Sequence, residues 1–424
     1  MTTRIKLFTA SLFLLFITSL AMPGLTASGG NGWSSYMADS RHSGSSPFML
    51  GDNAEGVSWK YELSGGSYFP PLVDQEGNIY LAQSTNVIKF DRGREVQWNV
   101  HLNTTIESSL ALSDDDVLYA CGRQTPSTPG FGVYAIDHDG AILWNCMVGM
   151  ISISSPTIAE DGTLYVGTFA PSTDHGPVGN DSIVAIDPAG QIKWQHCLDE
   201  PVLSSPAITP DGHIIVASNE RVLALNRSGD LDWESEIIPG ITNSVSASID
   251  AEGKIFIKTR GSLVCLFPNG TIDWVRTLDE DHIDVVPVCL SNGAIVSSDN
   301  MMYRFDDDGN LTWTYVADDR IQRNVIVSAN EKVVFCTGSD ILVLDGKGTL
   351  EDRITVPIGN DDDSIWGPVI TPDENIIVSS DALGIPGYLF VIGEEPADHS
   401  LLIGLVIVIT VLVVIAVSWY RRRR

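Results

Sequence analysis

The chain has 424 residues, 44% of them hydrophobic and 19% charged, with 38 Gly and 21 Pro. A composition so rich in both apolar and turn residues excludes a disordered or collagen-like chain, and the length calls for two or three domains or one large repetitive one. Net charge is −29, from 54 acidic and 25 basic residues, which excludes a nucleic-acid binder, since such proteins need a basic surface.

Residues 1–28 predict a secretory signal peptide. Arg4 and Lys6 precede an apolar run from Leu7 to Leu20, and small residues then offer cleavage after Ala21 or after Ser28. An uncleaved anchor helix is the alternative, and it needs a longer apolar core. No cysteine occurs before Cys121, so an N-terminal lipoprotein anchor is excluded. Residues 29–56 are a lead-in that contains Trp33-Ser-Ser-Tyr-Met-Ala-Asp39-Ser-Arg-His-Ser-Gly44.

From residue 57 to residue 393 the chain repeats. Trp59, Trp98, Trp144, Trp194, Trp233, Trp274 and Trp313 follow one another at intervals of 39 to 50 residues. Most stand four residues after a glycine, as in Gly140-Ala-Ile-Leu-Trp144 and Gly190-Gln-Ile-Lys-Trp194; a further unit begins at Gly348, with Asp352 in place of the Trp. Each unit also holds three short segments bounded by turn residues, exemplified by Ser204–Ile208, Gly162–Val166 and Val222–Asn226. Such segments predict strands. Four strands in a unit of about 40 residues predict a propeller blade. Strands one to three occur eight times, and the spare fourth strand is at Val57–Leu63. The expectation is an eight-bladed ring in which this N-terminal strand completes the last blade, removing the exposed sheet edges. Seven blades with a separate N-terminal strand is the alternative.

Propeller geometry puts the connections between strands two and three, and those between blades, on one face, called here the upper face. The turns between strands one and two, and three and four, lie on the lower face. The lower turns are short Asp-Gly types, while extra length sits above, at Gly122–Gly132, Thr168–Ser182 and Asp381–Gly387, in blades two, three and eight. Where strand one begins, most blades carry small residues such as Ser154-Ser155 and Ser204-Ser205, but blade one has Tyr68 and Phe69 and blade eight has Trp366. An aromatic cluster there would stack on a sugar, a peptide or a planar ligand; packing between blades is the competing role. The inter-blade loops are acidic, at Asp199-Glu200, Asp279-Glu280-Asp281, Asp318-Asp319 and Asp361-Asp362-Asp363. They would attract Ca²⁺ or a basic partner, or serve only as solvated surface.

Residues 394–400 are a linker, and Leu401–Tyr420 is an uncharged span long enough to cross a bilayer, closed by Arg421–Arg424. Such a basic end stays cytoplasmic, which predicts a cell-membrane protein with one pass and an extracellular body. A processed sorting tail is the alternative. Without residues 1–28 and the tail, the body carries 54 acidic against 19 basic residues.

The segment Val-Ala-Ile-Asp187-Pro-Ala-Gly190-Gln-Ile-Lys-Trp194 resembles the repeat of the pyrroloquinoline-quinone-like (PQQ-like) propeller family, and Trp33–Gly44 is similar to a segment that often precedes its first blade. The resemblance spans about residues 33–393 and implies that the glycine makes the turn between strands three and four while the Trp packs between neighbouring blades. Quinoprotein dehydrogenases of this fold use adjacent cysteines and a Glu/Asn/Asp calcium site. None of Cys121, Cys146, Cys197, Cys265, Cys289 and Cys336 are adjacent here, so PQQ is not expected. The family also includes the β-barrel assembly lipoprotein, a scaffold whose lipid-anchor cysteine this chain lacks.

No nucleophile elbow, His-Glu-x-x-His or Cys-x-x-Cys occurs. The six cysteines lie in different blades and offer no obvious pairs, so buried free thiols are expected. Sequons at Asn103, Asn180, Asn226, Asn269 and Asn310 suit an external body. The sequence thus predicts a non-catalytic cell-surface propeller without a resident cofactor, binding a protein or glycan partner through its upper face. The alternatives are a scaffold subunit of an envelope complex and a quinoprotein-type oxidoreductase.

Overall fold

In the middle strands of each blade nearly every residue is apolar and buried. Ile79–Gln83, Leu164–Thr168, Ile214–Ser218 and Ile255–Thr259 are buried throughout. The outer strands Val96–His101, Ile192–Cys197 and Leu311–Val316 instead alternate exposed and half-buried positions. A strand covered on both faces needs an unbroken apolar run, whereas one with a solvated face alternates. The computed structural model describes residues 32–52, 56–63, 69–123, 132–148, 154–168, 181–198, 202–218, 220–242, 244–279, 285–322, 324–358, 364–381 and 387–394. These contain no helix. The leader at 1–28 and the apolar segment at 401–420 lie outside them.

The described strands form eight antiparallel sheets, seven of four strands and one of five. Blade one runs from Leu72 to His101. Blade two ends at Cys146 and gains a short strand, Thr105–Ile106, that pairs with Leu118–Arg123. Blades three to seven end at Cys197, Glu234, Thr277, Val316 and Thr355. Blade eight takes Ser364–Ile370, Ile376–Asp381 and Tyr388–Ile392 from the C-terminal side, and its outer strand is Val57–Glu62. Val57 pairs with Ile392 and Glu62 with Tyr388. The closure expected from the repeat count is therefore present, and the seven-blade alternative is overturned.

Trp98, Trp144, Trp194 and Trp274 are each sandwiched between a ring of their own blade and a glycine of the next. Trp144 meets Tyr119 of its own blade at 5.8 Å between ring centroids, and donates its indole N–H to the carbonyl of Pro188 in blade three at 2.9 Å. Gly190 forms the floor: a Cβ there would lie 2.6 Å from the indole. The same arrangement joins Trp98 to His138 and Gly140, Trp194 to Arg227 and Gly229, Trp274 to Asp307 and Gly309, and Trp313 to Gly346 and Gly348. These glycines have φ between +74° and +86°, so both backbone and contact require glycine. Trp233 covers Gly270 with the far edge of its ring.

Two departures from this pattern belong to the ring closure. Blade eight has no turn between strands three and four, because its outer strand comes from the other end of the propeller. A tryptophan at position 352 would have no glycine to cover, and the residue there is Asp352. Trp59, on the closing strand, packs edge-on against Phe90 of blade one at 5.6 Å. The blade-one turn carries Arg94 at φ 68° where the others carry glycine. Its guanidinium donates to Ser58 Oγ at 3.2 Å and to the Glu394 carbonyl at 3.1 Å, tying together the two chain segments that meet at the closure.

The lead-in circles the lower mouth of the channel and touches every blade. Trp33 bridges to Val73 in blade one, and Ser34 accepts from Leu112 N in blade two. Carbonyls of Ser40, Arg41, Ser43 and Gly44 accept from Ile208, Ile249, Cys289 and Val327 in blades four to seven, and Gly51 donates to Glu374 of blade eight. Asp39 folds the segment back by accepting from the backbone N–H groups of Arg41 and Ser43, both at 3.0 Å. His42, fully buried at φ 56°, bonds through Nδ1 to the Ala247 carbonyl at 3.1 Å and approaches Thr157 of blade three at 3.4 Å. Burial lowers its pKa to about 4, against the opposing pull of the Ala247 hydrogen bond and Asp39.

Two predictions follow from this packing. Gly190→Ala should cost about 2–4 kcal/mol, combining a left-handed backbone with the clash on Trp144. Gly261→Ala, at φ +71° with open space around it, should cost only the backbone part, about 1–2 kcal/mol. Denaturant titration of the two variants compares them, and equal losses would show that the tryptophan floor contributes nothing. His42 makes the protein acid-sensitive. Its folded pKa lies below the unfolded 6.5, so the unfolded state binds the extra proton. Stability is fully present above about pH 6.5 and falls as pH drops toward 4, by roughly 3 kcal/mol. His42→Asn, which tolerates positive φ, should remove that increment from the pH dependence of unfolding; an unchanged slope would assign it to other groups.

Candidate functional site

The upper face is where connection length varies. Second and third strands are joined by Ser84–Thr85 in blade one, Arg260–Gly261 in blade five, Asp299–Asn300 in blade six and Gly338–Ser339 in blade seven. The corresponding connections are 124–132 in blade two, 169–181 in blade three and 382–387 in blade eight. Closure of the ring makes blades eight, one, two and three consecutive, so the three long connections leave one sector. Tyr68 and Asp361-Asp362-Asp363 lie outside the described residues. Phe69 is half-buried. The backbone of Trp366 is in strand Ser364–Ile370, opposite Ser379. Beside it Gly367, at φ +58°, packs on Pro70, where a Cβ would approach to 2.6 Å. Blades one and eight thus meet at this position, as the repeat count required.

The small residues at the start of strand one have a structural task. Ser109 N donates to Ser155 Oγ at 3.1 Å, Ser155 N to Ser205 Oγ at 2.9 Å, and Ser205 N to Ser246 Oγ at 2.9 Å. This lateral belt satisfies buried backbone donors that the short inner strands leave unpaired. The acidic residues of the upper face have partners: Asp318 is ion-paired with Arg353 at 2.6 Å, Asp340 accepts from Thr355 at 2.7 Å, and Asp279 accepts from the Tyr303 hydroxyl at 3.0 Å. Asp199-Glu200 and Glu280-Asp281 lie outside the described residues. Among the described residues no group of three His, Cys, Asp or Glu could hold a metal ion.

Cys121, Cys146, Cys265, Cys289 and Cys336 are buried free thiols and Cys197 is exposed. Burial raises the pKa of all five buried thiols, which keeps them protonated and poor nucleophiles. On blade four Thr209 donates to Asp211, and His213 lies between Asp211 at 3.0 Å and Asp232 at 2.8 Å. Burial lowers the imidazole pKa, but the two carboxylates outweigh it and the net shift is upward. Both ring nitrogens face carboxylates, and Thr209 donates to Asp211 rather than to the imidazole, so the cluster is an ion-paired imidazole.

The lower face contains a pocket of about 270 Å³ between the lead-in and blades five to seven, lined by Arg41, Ser43, Asp250, Asn292, Arg304 and Glu331 among others. The sequence reading placed all candidate residues on the opposite face and missed this one. Two signals were present in the sequence. Blade six has a turn between strands one and two that is one residue shorter than those of its neighbours, and an arginine stands where most other repeats have small or apolar residues.

Comparison with known proteins agrees with the geometry. A family model described as "Outer membrane protein assembly factor BamB" matches residues 129–286. No curated protein matches the chain. Among solved structures, a europium-containing methanol dehydrogenase superposes with a TM-score of 0.62 at 12% identity, covering 87% of this chain and 99% of that one. The quinohemoprotein alcohol dehydrogenase ADHIIG from Pseudomonas putida HK5 gives 0.62 at 12% identity, covering 87% and 82%. The C-terminal WD40 domain of Sif2 gives 0.60 at 11% identity, covering 80% and 99%. At these identities the likeness is one of fold. With the closed ring of blades and the repeat model matched over residues 129–286, it bears out the resemblance of the sequence to the PQQ-like propellers.

Proposed function

We propose that this propeller is a non-catalytic module that binds a protein partner through its upper face. One observation carries the proposal. Connections between strands two and three differ widely on that face, at 124–132, 169–181 and 382–387 against two residues in blades one, five, six and seven, and the long ones share a sector. Loops on a rigid scaffold vary where binding occurs. Tyr68, Phe69 and Trp366 are the proposed aromatic anchors of that surface, and Asp361, Asp362 and Asp363 would favour a basic partner. The matched family, named for an assembly factor, suits a scaffold or binding role. The dehydrogenases sharing the fold suggest redox catalysis instead, but here the buried thiols are held protonated and lie in separate blades. As part of the same proposal, residues 1–28 direct secretion and 401–420 cross the cell membrane, leaving the propeller outside and Arg421–Arg424 inside.

Site-specific photo-crosslinking tests this reading in native membranes. A crosslinking residue at Phe69, Asp181 or Asp318 should yield a protein adduct of defined mass, and one at Asp139, Asp161 or Asp211 on the lower face should not. Shortening 169–181 should reduce the upper-face adduct severalfold. Adducts of equal yield from both faces, or none from the upper face, would overturn it.

A further inference from the structure

The lower-face pocket exists because one blade departs from its repeat in two independent ways. Between equivalent pairs of strands one and two the other blades place five residues, as at 209–213, 250–254 and 328–332, but blade six places four, Leu290–Gly293 between Cys289 and Ala294, folded as a tighter hairpin around Ser291–Asn292. The shorter, tighter turn adjoins a gap between the turns of blades five and seven, with lead-in residues 41–46 along its inner edge. Gly293, at φ +127°, permits the tight hairpin; a Cβ there would strike the Phe305 carbonyl.

The second departure is Arg304. It pairs with Trp313 across strands three and four. At the same register the other blades place Ala135, Ala185, Ala224, Cys265, Val343 and Val391 opposite their outer-strand residues, and Lys89 in blade one. The fold therefore does not require a cation here. Lys89 is accommodated over the Tyr80 ring, with its ammonium 3.4 Å from the His138 carbonyl. Arg304 is only half accommodated. Nη2 donates to Asn292 Oδ1 at 2.5 Å, while Nη1 is sequestered in the pocket wall without a hydrogen-bond partner. Buried donors are almost always paired, and a guanidinium is costly to leave otherwise.

The neighbouring charges do not meet that need. Glu331, Asp307 and Asp306 act on Arg304 electrostatically, and none of them accepts a hydrogen bond from its Nη1. Asp250 spends Oδ1 on the N–H groups of Glu252 and Lys254. Arg41 is already paired with Asp39 at 2.9 Å. A planar anion matched to a guanidinium edge is the missing partner, and the volume limits it to a few heavy atoms beyond the anionic group. We infer that the pocket between the lead-in and blades five to seven binds a carboxylate, carried by a small organic acid or by a peptide C-terminus, with Arg304 as its anchor. This site is on the face opposite the proposed partner surface and does not rest on that proposal.

Calorimetric titration of the full chain tests it with three probes: succinate, the tripeptide Gly-Gly-Leu, and the same tripeptide with an amidated C-terminus. Succinate, the free-acid peptide or both should bind saturably at or below millimolar concentration, and the amide at least about tenfold more weakly. Binding of succinate alone would identify a small-acid site, and binding of the free-acid peptide alone a chain-end site. Arg304→Val, which installs the residue type of Val343, should lose at least about tenfold in affinity while its melting temperature holds or rises. As a variant that keeps Arg304, replacing Leu290–Gly293 by the five-residue turn of blade five, Asp250–Lys254, should close the gap and abolish binding. No carboxylate binding by the native chain at about 10 mM, equal binding of acid and amide, or undiminished binding by folded Arg304→Val would each overturn the inference.

Discussion

The outer-strand tryptophans from Trp98 to Trp313 are completed by the neighbouring blade. Trp144 has its hydrogen-bond acceptor, Pro188, and its floor, Gly190, in blade three. One face of the ring lies against glycine and the other against Tyr119, so little of the contact survives if the blades separate. Aromatic burial of this kind contributes more than any surface ion pair, and it recurs around the ring from Trp98 to Trp313. Blade stability is consequently shared between neighbours, as in other repeat architectures. The end blades would each lack half of their support without a closing device.

That device has two layers. On the outside, Val57–Glu62 fills the outer position of blade eight and brings Trp59 onto Phe90. Arg94 accepts a left-handed backbone that glycine serves elsewhere and spans Ser58 and Glu394 in return. On the inside, Trp33 to Gly51 links the first strand of blade one to the turn of blade eight through successive backbone hydrogen bonds. Met37, Ala38 and His42 all hold positive φ along this path. Such strain persists only where surrounding contacts determine the conformation, and here the ends of all eight inner strands supply them.

Periodicity made the ring legible in the sequence. The tryptophan spacing, the glycine four residues earlier and the unpaired segment at Val57 sufficed to number the blades and predict their closure, because each reflects a contact repeated many times. Asp352 was legible as a missing tryptophan, but its cause, the absent turn in blade eight, needed the closed ring. The lead-in was visible as Trp33–Gly44, yet its course was not, since its hydrogen bonds run largely from its backbone to blades as distant as Glu374, paired with Gly51, and leave no side-chain pattern. The serine belt was read only as a run of small residues. Sequence reasoning sought function in aromatic and acidic residues on the longer loops, and passed over a shortened turn, because a deletion removes the very residues that would attract notice.

A closed propeller constrains where new function can arise. Its inner strands are stitched laterally from Ser109 to Ser246, its outer tryptophans are fixed by neighbouring glycines, and its lower mouth is occupied by the lead-in. Substitution within that frame disturbs at least two blades, so departures from the repeat that nevertheless persist need a physical reason. Arg94 and Asp352 have one in the closure. Lys89 has one in the Tyr80 ring. Arg304 and the turn at Ser291–Asn292 share no such role: neither joins blades, and together they expose a cavity and leave a cation short of a partner. A repeat protein that needed only stability would have kept a small apolar residue opposite Trp313, as most of its blades do opposite theirs.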